Sequence, residues 1–254
     1  MSESRFDFAP LLRADLAELA AYQPNPGRFE VRLDANECPP LLSPDAARAL
    51  AEAMTPAEFN RYPDARHVAL RRAIADACAA DPDEVIAGVG SDEVIALLLT
   101  ALDRPRQRGA APTLVTPSPT FVMYRMTGRA RGFRATEVPL DKSWDLDMSA
   151  MRKAVEFARP NVIFIATPNN PTGNRMSLDR IEALIQAAPE ALVVVDEAYI
   201  DFAVEDESQG SGAKAAPCVS QLALRRRYPN VAILRTLSKI GFAALRVGWL
   251  LGSP

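Results

Sequence analysis

Histidine, cysteine and lysine are scarce in this chain, which has one histidine, three cysteines and four lysines among 254 residues. Each scarcity removes a class of function. Cys38, Cys78 and Cys218 are far apart, odd in number and in no C-x-x-C pair, and a single histidine cannot complete a zinc pattern. Neither a metal centre nor a disulfide framework is expected, and His67, without a candidate partner, is assigned no role. Long apolar runs are also missing: no stretch of about 18 uninterrupted apolar residues occurs, and residues 1–7 carry charges where a signal peptide needs an apolar core. The expectation is a protein of a reducing cytoplasm, neither exported nor membrane-inserted. Its 29 basic and 32 acidic residues are well mixed, with a formal net charge of −3, so no field recruits nucleic acid or an anionic membrane.

What is present is a 48% hydrophobic composition, enough for one large buried core. Residues 1–42 hold five prolines and little periodicity beyond Leu11, Leu12, Asp15, Leu16 and Leu19, where a short helix ending before Tyr22-Gln23-Pro24 is expected within an arm and a loop. Ser43-Pro44 is a cap followed by proline at the first helical position, and the spacing of Ala47, Leu50, Ala51 and Met54 predicts a helix over 44–54. Leu70, Ile74, Ala77 and Cys78 predict a second, stopped by Asp81-Pro82. From residue 84 short apolar runs alternate with helical patterns. Strands are expected at 85–89, 113–116, 135–138, 162–166, 192–195 and 231–234. Helices are expected at 91–102, 149–158, 177–187 and 218–227, with Ser91, Ser149 and Ser177 as N-caps. A surface linker rich in Gly, Ser and Ala is expected over 205–216. Such alternation argues for an α/β architecture with a largely parallel sheet, in which ligands bind beyond the carboxyl ends of the strands.

The polar residues after the strands therefore carry the functional reading. Gly88-Val89-Gly90-Ser91-Asp92-Glu93 suits an anion at a helix start. Glu93 and the absence of Gly-Lys exclude the dinucleotide and P-loop fingerprints, and a tight turn explains the stretch equally well. Phe121 can cover a planar ligand or pack beneath the proline-stiffened loop 117–124. Asn170, in the rigid turn 167–173, has an amide able to donate to a phenolate oxygen. The apolar run Val193-Val194-Val195 ends in Asp196-Glu197-Ala198-Tyr199, and a carboxylate there costs free energy unless a cation, such as a protonated pyridine nitrogen, meets it. Only four of the 29 basic residues are lysines, so Lys239 is the exception to explain. A guanidinium keeps its proton, whereas a partly desolvated lysine can lose it and condense with an aldehyde. Thr236, Ser238 and Arg246 suit a phosphate beside that amine.

In chain order, N-N-P-T-G at 169–173, D-E-A-Y at 196–199 and T-L-S-K at 236–239 resemble the fold-type I pyridoxal-phosphate aminotransferases. R-Y-P-D at 61–64 and G-S-D-E at 90–93 are similar to their histidinol-phosphate branch. The resemblance implies a three-layer α/β/α large domain over 56–254, with 1–55 forming an N-terminal arm and part of an incomplete small domain. It implies pyridoxal 5'-phosphate held by Lys239 as a Schiff base, with the same lysine moving the substrate proton. Asp196 keeps the ring nitrogen protonated, Asn170 and Tyr199 bond the phenolate oxygen, and Phe121 stacks on the ring. The phosphate is held by the Ser91 and Asp92 N–H groups, Thr236, Ser238 and Arg246, and by Tyr62 of a neighbouring subunit in a homodimer. Tyr22 and Asn36 match positions near the substrate.

The implied reaction passes an amino group from L-histidinol phosphate to 2-oxoglutarate, an amino donor and a 2-oxo acid. Other aminotransferases, including aromatic ones, and phospho-amino-acid decarboxylases share the chemistry. A ligand-sensing regulator needs a basic DNA-binding module that residues 1–42 do not show, and a nucleotide-binding α/β protein lacks its fingerprint. Two features depart from the family. There is one residue fewer than is common between Lys239 and Arg246, with Ala244 where glycine is usual. Family members also continue into a C-terminal segment carrying an arginine for the substrate, whereas this sequence ends at Pro254. The expectation for 1–254 alone is weak cofactor binding or aggregation through an exposed apolar face, and poor turnover.

Overall fold

The computed structural model describes residues 6–16, 27–31, 33–39, 42–56, 60–203 and 220–254. Tyr22, Cys218 and the linker expected at 205–216 lie outside the described residues. The described strands are β1 (Val85–Val89), β2 (Thr113–Ser118), β3 (Arg134–Pro139), β4 (Val162–Ala166), β5 (Leu192–Asp196), β6 (Val231–Thr236) and β7 (Val247–Leu251). They form one sheet in the order β1-β7-β6-β5-β4-β2-β3. Both pairings of β7 are antiparallel and the remaining pairings are parallel.

Central strands covered on both faces read as unbroken apolar runs, and every residue of β4 is buried. Side chains alternate between the faces. Ile163, Ile165, Val193 and Val195 pack with α2 (Val68–Cys78), α5 (Met148–Ala158) and α6 (Leu178–Ala187). Phe164, Val194 and Leu234 face the other way, toward α3 (Ser91–Ala101) and α4 (Met123–Ala130). Three layers result. Helix α1 (Pro44–Met54) forms where its cap predicts, with Ser43 Oγ accepting from the Ala46 N–H at 3.1 Å, but none of its residues is buried. No helix of the described residues is long and apolar enough to cross a membrane.

Several local expectations are corrected. Gly90, not Ser91, occupies the N-cap of α3, and Ser91 is its first helical residue. Asp147 replaces Ser149 as the cap of α5, accepting from the Ala150 N–H at 3.0 Å. Ser177 sits at the N-cap of α6, but its hydroxyl donates to Asp145 instead of capping. The helix expected over 218–227 is a 3-10 turn at Gln221–Ala223 followed by the short α7 (Leu224–Arg227). Helix α4 has no counterpart in the sequence reading. Its buried face is Tyr124, Thr127 and Gly128, and Gly128 passes so close to β2 that a Cβ would stand 2.4 Å from Leu114 Cδ2.

Because β7 runs against its neighbours, its start lies at the same edge as the ends of β1 and β6. Arg246 thus returns beside Gly90 and Lys239, at the edge where β2, β4 and β5 also end.

Candidate active site

Lys239 follows β6 in the 3-10 turn Ser238–Ile240, which Gly241 ends in the left-handed region at φ 97°. Its amine lies 5.5 Å from the centroid of the Tyr199 ring. Lys239, Asn170, Pro168 and Tyr199 form the wall common to two spaces. The outer cavity, about 680 Å³, is also lined by Asn36, Glu37, Cys38, Arg175 and Phe202. The inner cleft, about 30 Å³, is closed by Ser91, Phe121, Tyr124, Ala166, Asp196 and Ala198.

Asp196, the last residue of β5, is only 4% exposed. Its Oδ2 accepts the Tyr124 hydroxyl at 2.6 Å, and its Oδ1 accepts the Ala198 N–H at 2.9 Å. Burial pushes its pKa up to about 6, while these two hydrogen bonds pull the other way. The Tyr124 hydroxyl is held well above its ordinary pKa, first by burial and then by the Asp196 charge. Sequence reasoning placed Tyr124 in an aromatic loop and missed its donor role. The available signal was a tyrosine three residues after Phe121, one helical turn along the chain.

The adjacent acid faces elsewhere. The Glu197 side chain is fully buried and meets Arg235 Nε at 2.9 Å and Nη2 at 2.8 Å. It also accepts from Ser220 Oγ at 2.6 Å and from the Gln221 N–H at 2.5 Å. Strand alternation thus gives two neighbouring carboxylates separate partners, with Glu197 neutralised by protein and Asp196 left facing the cleft.

At the end of the cleft the backbone approaches unusually closely. A Cβ on Gly248 would stand 2.3 Å from Ser91 N, and one on Gly90, at φ 82°, would stand 2.7 Å from Arg246 Nη2. The first N–H groups of α3 and a guanidinium therefore converge at one place, as an anion requires. Glu93 is kept out of it, because its Oε2 folds back to accept the Val89 N–H at 2.5 Å. The Thr236 hydroxyl accepts the Ser238 N–H at 3.1 Å and lies 2.9 Å from Ser238 Oγ, fixing both hydroxyls beside Lys239.

Of the residues expected at a site, Lys239, Asp196, Tyr199, Asn170, Phe121 and Ser91 line the inner cleft. Asn169 makes the hydrogen bonds that hold its loop, to Pro119 O, Thr172 Oγ1 and Thr120 Oγ1, while Asn170 lines both spaces. Asn36 donates from Nδ2 to the Tyr199 hydroxyl at 3.0 Å, tying the N-terminal segment to the cleft. Asp92 is exposed in the first turn of α3. Tyr62 is fully exposed at 101% and lines neither space in its own chain.

The family profile described as aminotransferase class I and II matches residues 30–254. Histidinol-phosphate aminotransferase 2 of Nitrosococcus oceani is 37% identical over 247 residues, covering 97% of this chain and 63% of that protein. The histidinol-phosphate aminotransferase of Chromobacterium violaceum is 37% identical over 248 residues, covering 96% and 63%. The chain thus spans 63% of the length of these relatives. Among solved structures, the histidinol-phosphate aminotransferase of Sinorhizobium meliloti in complex with pyridoxal-5'-phosphate shares the fold. Its TM-score is 0.71 at 24% identity, over 87% of this chain and 55% of that one.

Proposed function

The chain belongs to the class I and II aminotransferases, and from that premise we propose that it binds pyridoxal 5'-phosphate and transfers the amino group of L-histidinol phosphate to 2-oxoglutarate. The products are imidazole acetol phosphate and glutamate, a step of histidine biosynthesis in the cytoplasm. One observation carries the reading: a buried carboxylate, a lysine amine and a backbone anion cradle all face one narrow cleft.

The chemistry of this donor set fits the cofactor. Among the described residues no cation pairs with the buried Asp196, so a protonated ring nitrogen would offset its desolvation. Gly248 lets the Gly90–Ser91 backbone approach β7, and Gly90 lets Arg246 Nη2 lie close to it, so the first N–H groups of α3 and a guanidinium come together where a phosphate would be held. When bound, the cofactor supplies an electron sink conjugated to the amino-bearing carbon of the substrate.

The chain's own residues do the rest. Lys239 would anchor the cofactor through its amine, and the same amine would hold and move the proton of the substrate's amino-bearing carbon. Asp196 holds a proton on the ring nitrogen. Asn170 and Tyr199 donate to the phenolate oxygen, and Phe121 covers the ring. Ser91, Asp92, Thr236, Ser238 and Arg246 hold the phosphate. Tyr22 and Asn36 meet the substrate, Asn36 through the Tyr199 hydroxyl that it already contacts. Tyr62, projecting from its own chain, reaches the phosphate of a second copy, making the working unit a homodimer. Residues 1–55 form the arm and part of a small domain, and 56–254 the cofactor domain.

Absorbance tests both levels of the reading. Adding pyridoxal 5'-phosphate should give a visible band that borohydride fixes to the wild type and not to Lys239→Ala; a colourless wild type refutes the cofactor. L-histidinol phosphate should then bleach the band. A bound cofactor that this substrate leaves unchanged, while another amino donor converts it, refutes the assigned substrate.

A further inference from the structure

Tyr124 is entirely buried, its ring stacked on Phe164 at 4.6 Å and 4° and set edge-on to Phe121 at 5.5 Å and 83°. Phenylalanine would fill the same space. A buried hydroxyl costs free energy unless it is bonded, so the oxygen calls for a purpose that packing does not supply. Among the described residues it donates to Asp196 Oδ2 at 2.6 Å, a length typical of a hydroxyl donating to a carboxylate.

We propose that Tyr124 is a positioning residue: its hydroxyl holds the Asp196 carboxylate ionised and fixed in rotation, leaving a free lone pair aimed into the inner cleft for the ring nitrogen of the cofactor. The inference rests on the cofactor reading above. The Ala198 N–H occupies Oδ1 as Tyr124 occupies Oδ2, so two donors on different elements define the carboxylate plane. Asp196 ends β5 opposite Ala166 of β4 and Leu234 of β6, so the sheet encloses it and the cleft is its open side. A third donor must enter from there.

The other charged and titratable groups around it do not replace Tyr124. Glu197 turns away to Arg235. Asp92, at the start of α3, adds negative charge that disfavours the carboxylate. Tyr199 and Lys239 stand on the cleft wall, and no hydrogen bond of theirs to Asp196 is formed among the described residues. Burial pushes the carboxyl up, and the Tyr124 hydroxyl is the foremost influence drawing it down. Through its edge contact with Phe121, one residue of α4 touches both the acid assigned to the ring nitrogen and the aromatic side chain assigned to cover the ring.

The test compares wild type, Tyr124→Phe, Asp196→Asn and the double variant. Pyridoxal 5'-phosphate affinity is measured by absorbance titration between pH 5 and 8.5, and thermal unfolding reports that each protein folds. Tyr124→Phe should bind on the order of tenfold more weakly at pH 7, with the acidic limb of its affinity moved up by roughly one pH unit. The cofactor phosphate also titrates near ~6, but that limb persists in Asp196→Asn and is subtracted. In the Asp196→Asn background Tyr124→Phe should add nothing. Equal affinities and midpoints in wild type and Tyr124→Phe overturn the proposal, as does an equal loss in both backgrounds, which marks a packing role. A wild type that takes up no cofactor overturns the reading above instead. The ¹³C carboxyl titration of Asp196 in the cofactor-free protein then decides on Tyr124: a raised midpoint in Tyr124→Phe supports its hold on ionisation, and an unchanged one overturns it.

Discussion

Replacing Gly248 by alanine should perturb the proposed phosphate site through the backbone of Gly90 and Ser91, without changing any side chain assigned to the cofactor. Gly248 lies in β7 between Gly88 of β1 and Thr236 of β6. The added methyl would stand 2.3 Å from Ser91 N, 2.4 Å from Gly90 C and 2.9 Å from Gly90 O, where ordinary contact begins at 3.4 Å. All three atoms are backbone, so no side-chain rotation relieves the overlap. Strand β7 is held by ladders on both sides, and the Gly90–Ser91 turn is the part that must retreat, by roughly 1 Å. Overpacking of this kind costs about 2 kcal/mol, which lowers Tm by roughly 4–8 °C in a chain of this size. Moving the Ser91 N–H off a phosphate oxygen removes a hydrogen bond to a charged group, so affinity for pyridoxal 5'-phosphate should fall at least about tenfold. Pyridoxal, which lacks the phosphate, should bind Gly248→Ala and wild type equally. Titration with the two aldehydes beside a thermal melt checks the reasoning. Unchanged phosphate-ester affinity with unchanged Tm refutes the close approach, and equal losses for both aldehydes refute its assignment to the phosphate.

Two further outcomes follow from the paired acids of β5. Arg235→Met strands the fully buried Glu197 without its cation and should destabilise the protein by about 3–5 kcal/mol in urea unfolding, with Glu197→Gln added to it restoring part of the loss; a cost below about 1 kcal/mol would show that Ser220 and Gln221 suffice. Asp196 is raised in the fold from 3.8 to about 6. The folded state therefore binds its proton more tightly, and a contribution of roughly 3 kcal/mol is fully present below the unfolded value and lost as pH rises through about 6. In the cofactor-free protein Asp196→Asn should accordingly gain stability relative to wild type between pH 5 and 7.5, and a difference that does not vary with pH contradicts the raised ionisation.

Much of the fold was legible where one signal dominates locally. The strands at 85–89 and 162–166 are short apolar runs between breakers, and both appear with those bounds. Helix α1 is announced by Ser43-Pro44 and appears at 44–54. Helix α4 was illegible because its buried face contains a tyrosine, a threonine and a glycine, not an apolar stripe, and it makes sense only against Leu114 and Phe133. The caps of α3 and α5 were misplaced by one or two residues because Gly90 and Asp147 compete with nearby serines for the same geometry.

The sequence by itself determined the α/β class, the order of the chemical groups and the singularity of Lys239, because each depends on residue type and on spacing along the chain. It also placed Asp196 at the end of an apolar strand, where burial disfavours its charge. Which acid faces the cleft, which hydroxyl steadies it and where the anion cradle closes were decided only by the tertiary structure. Those depend on meetings through space: Tyr124 with Asp196 across 72 positions, Arg235 with Glu197 across 38, and the antiparallel β7 that sets Gly248 under Ser91 and brings Arg246 back beside Gly90. Such approaches are set by sheet order and packing, and no local pattern of residues encodes them.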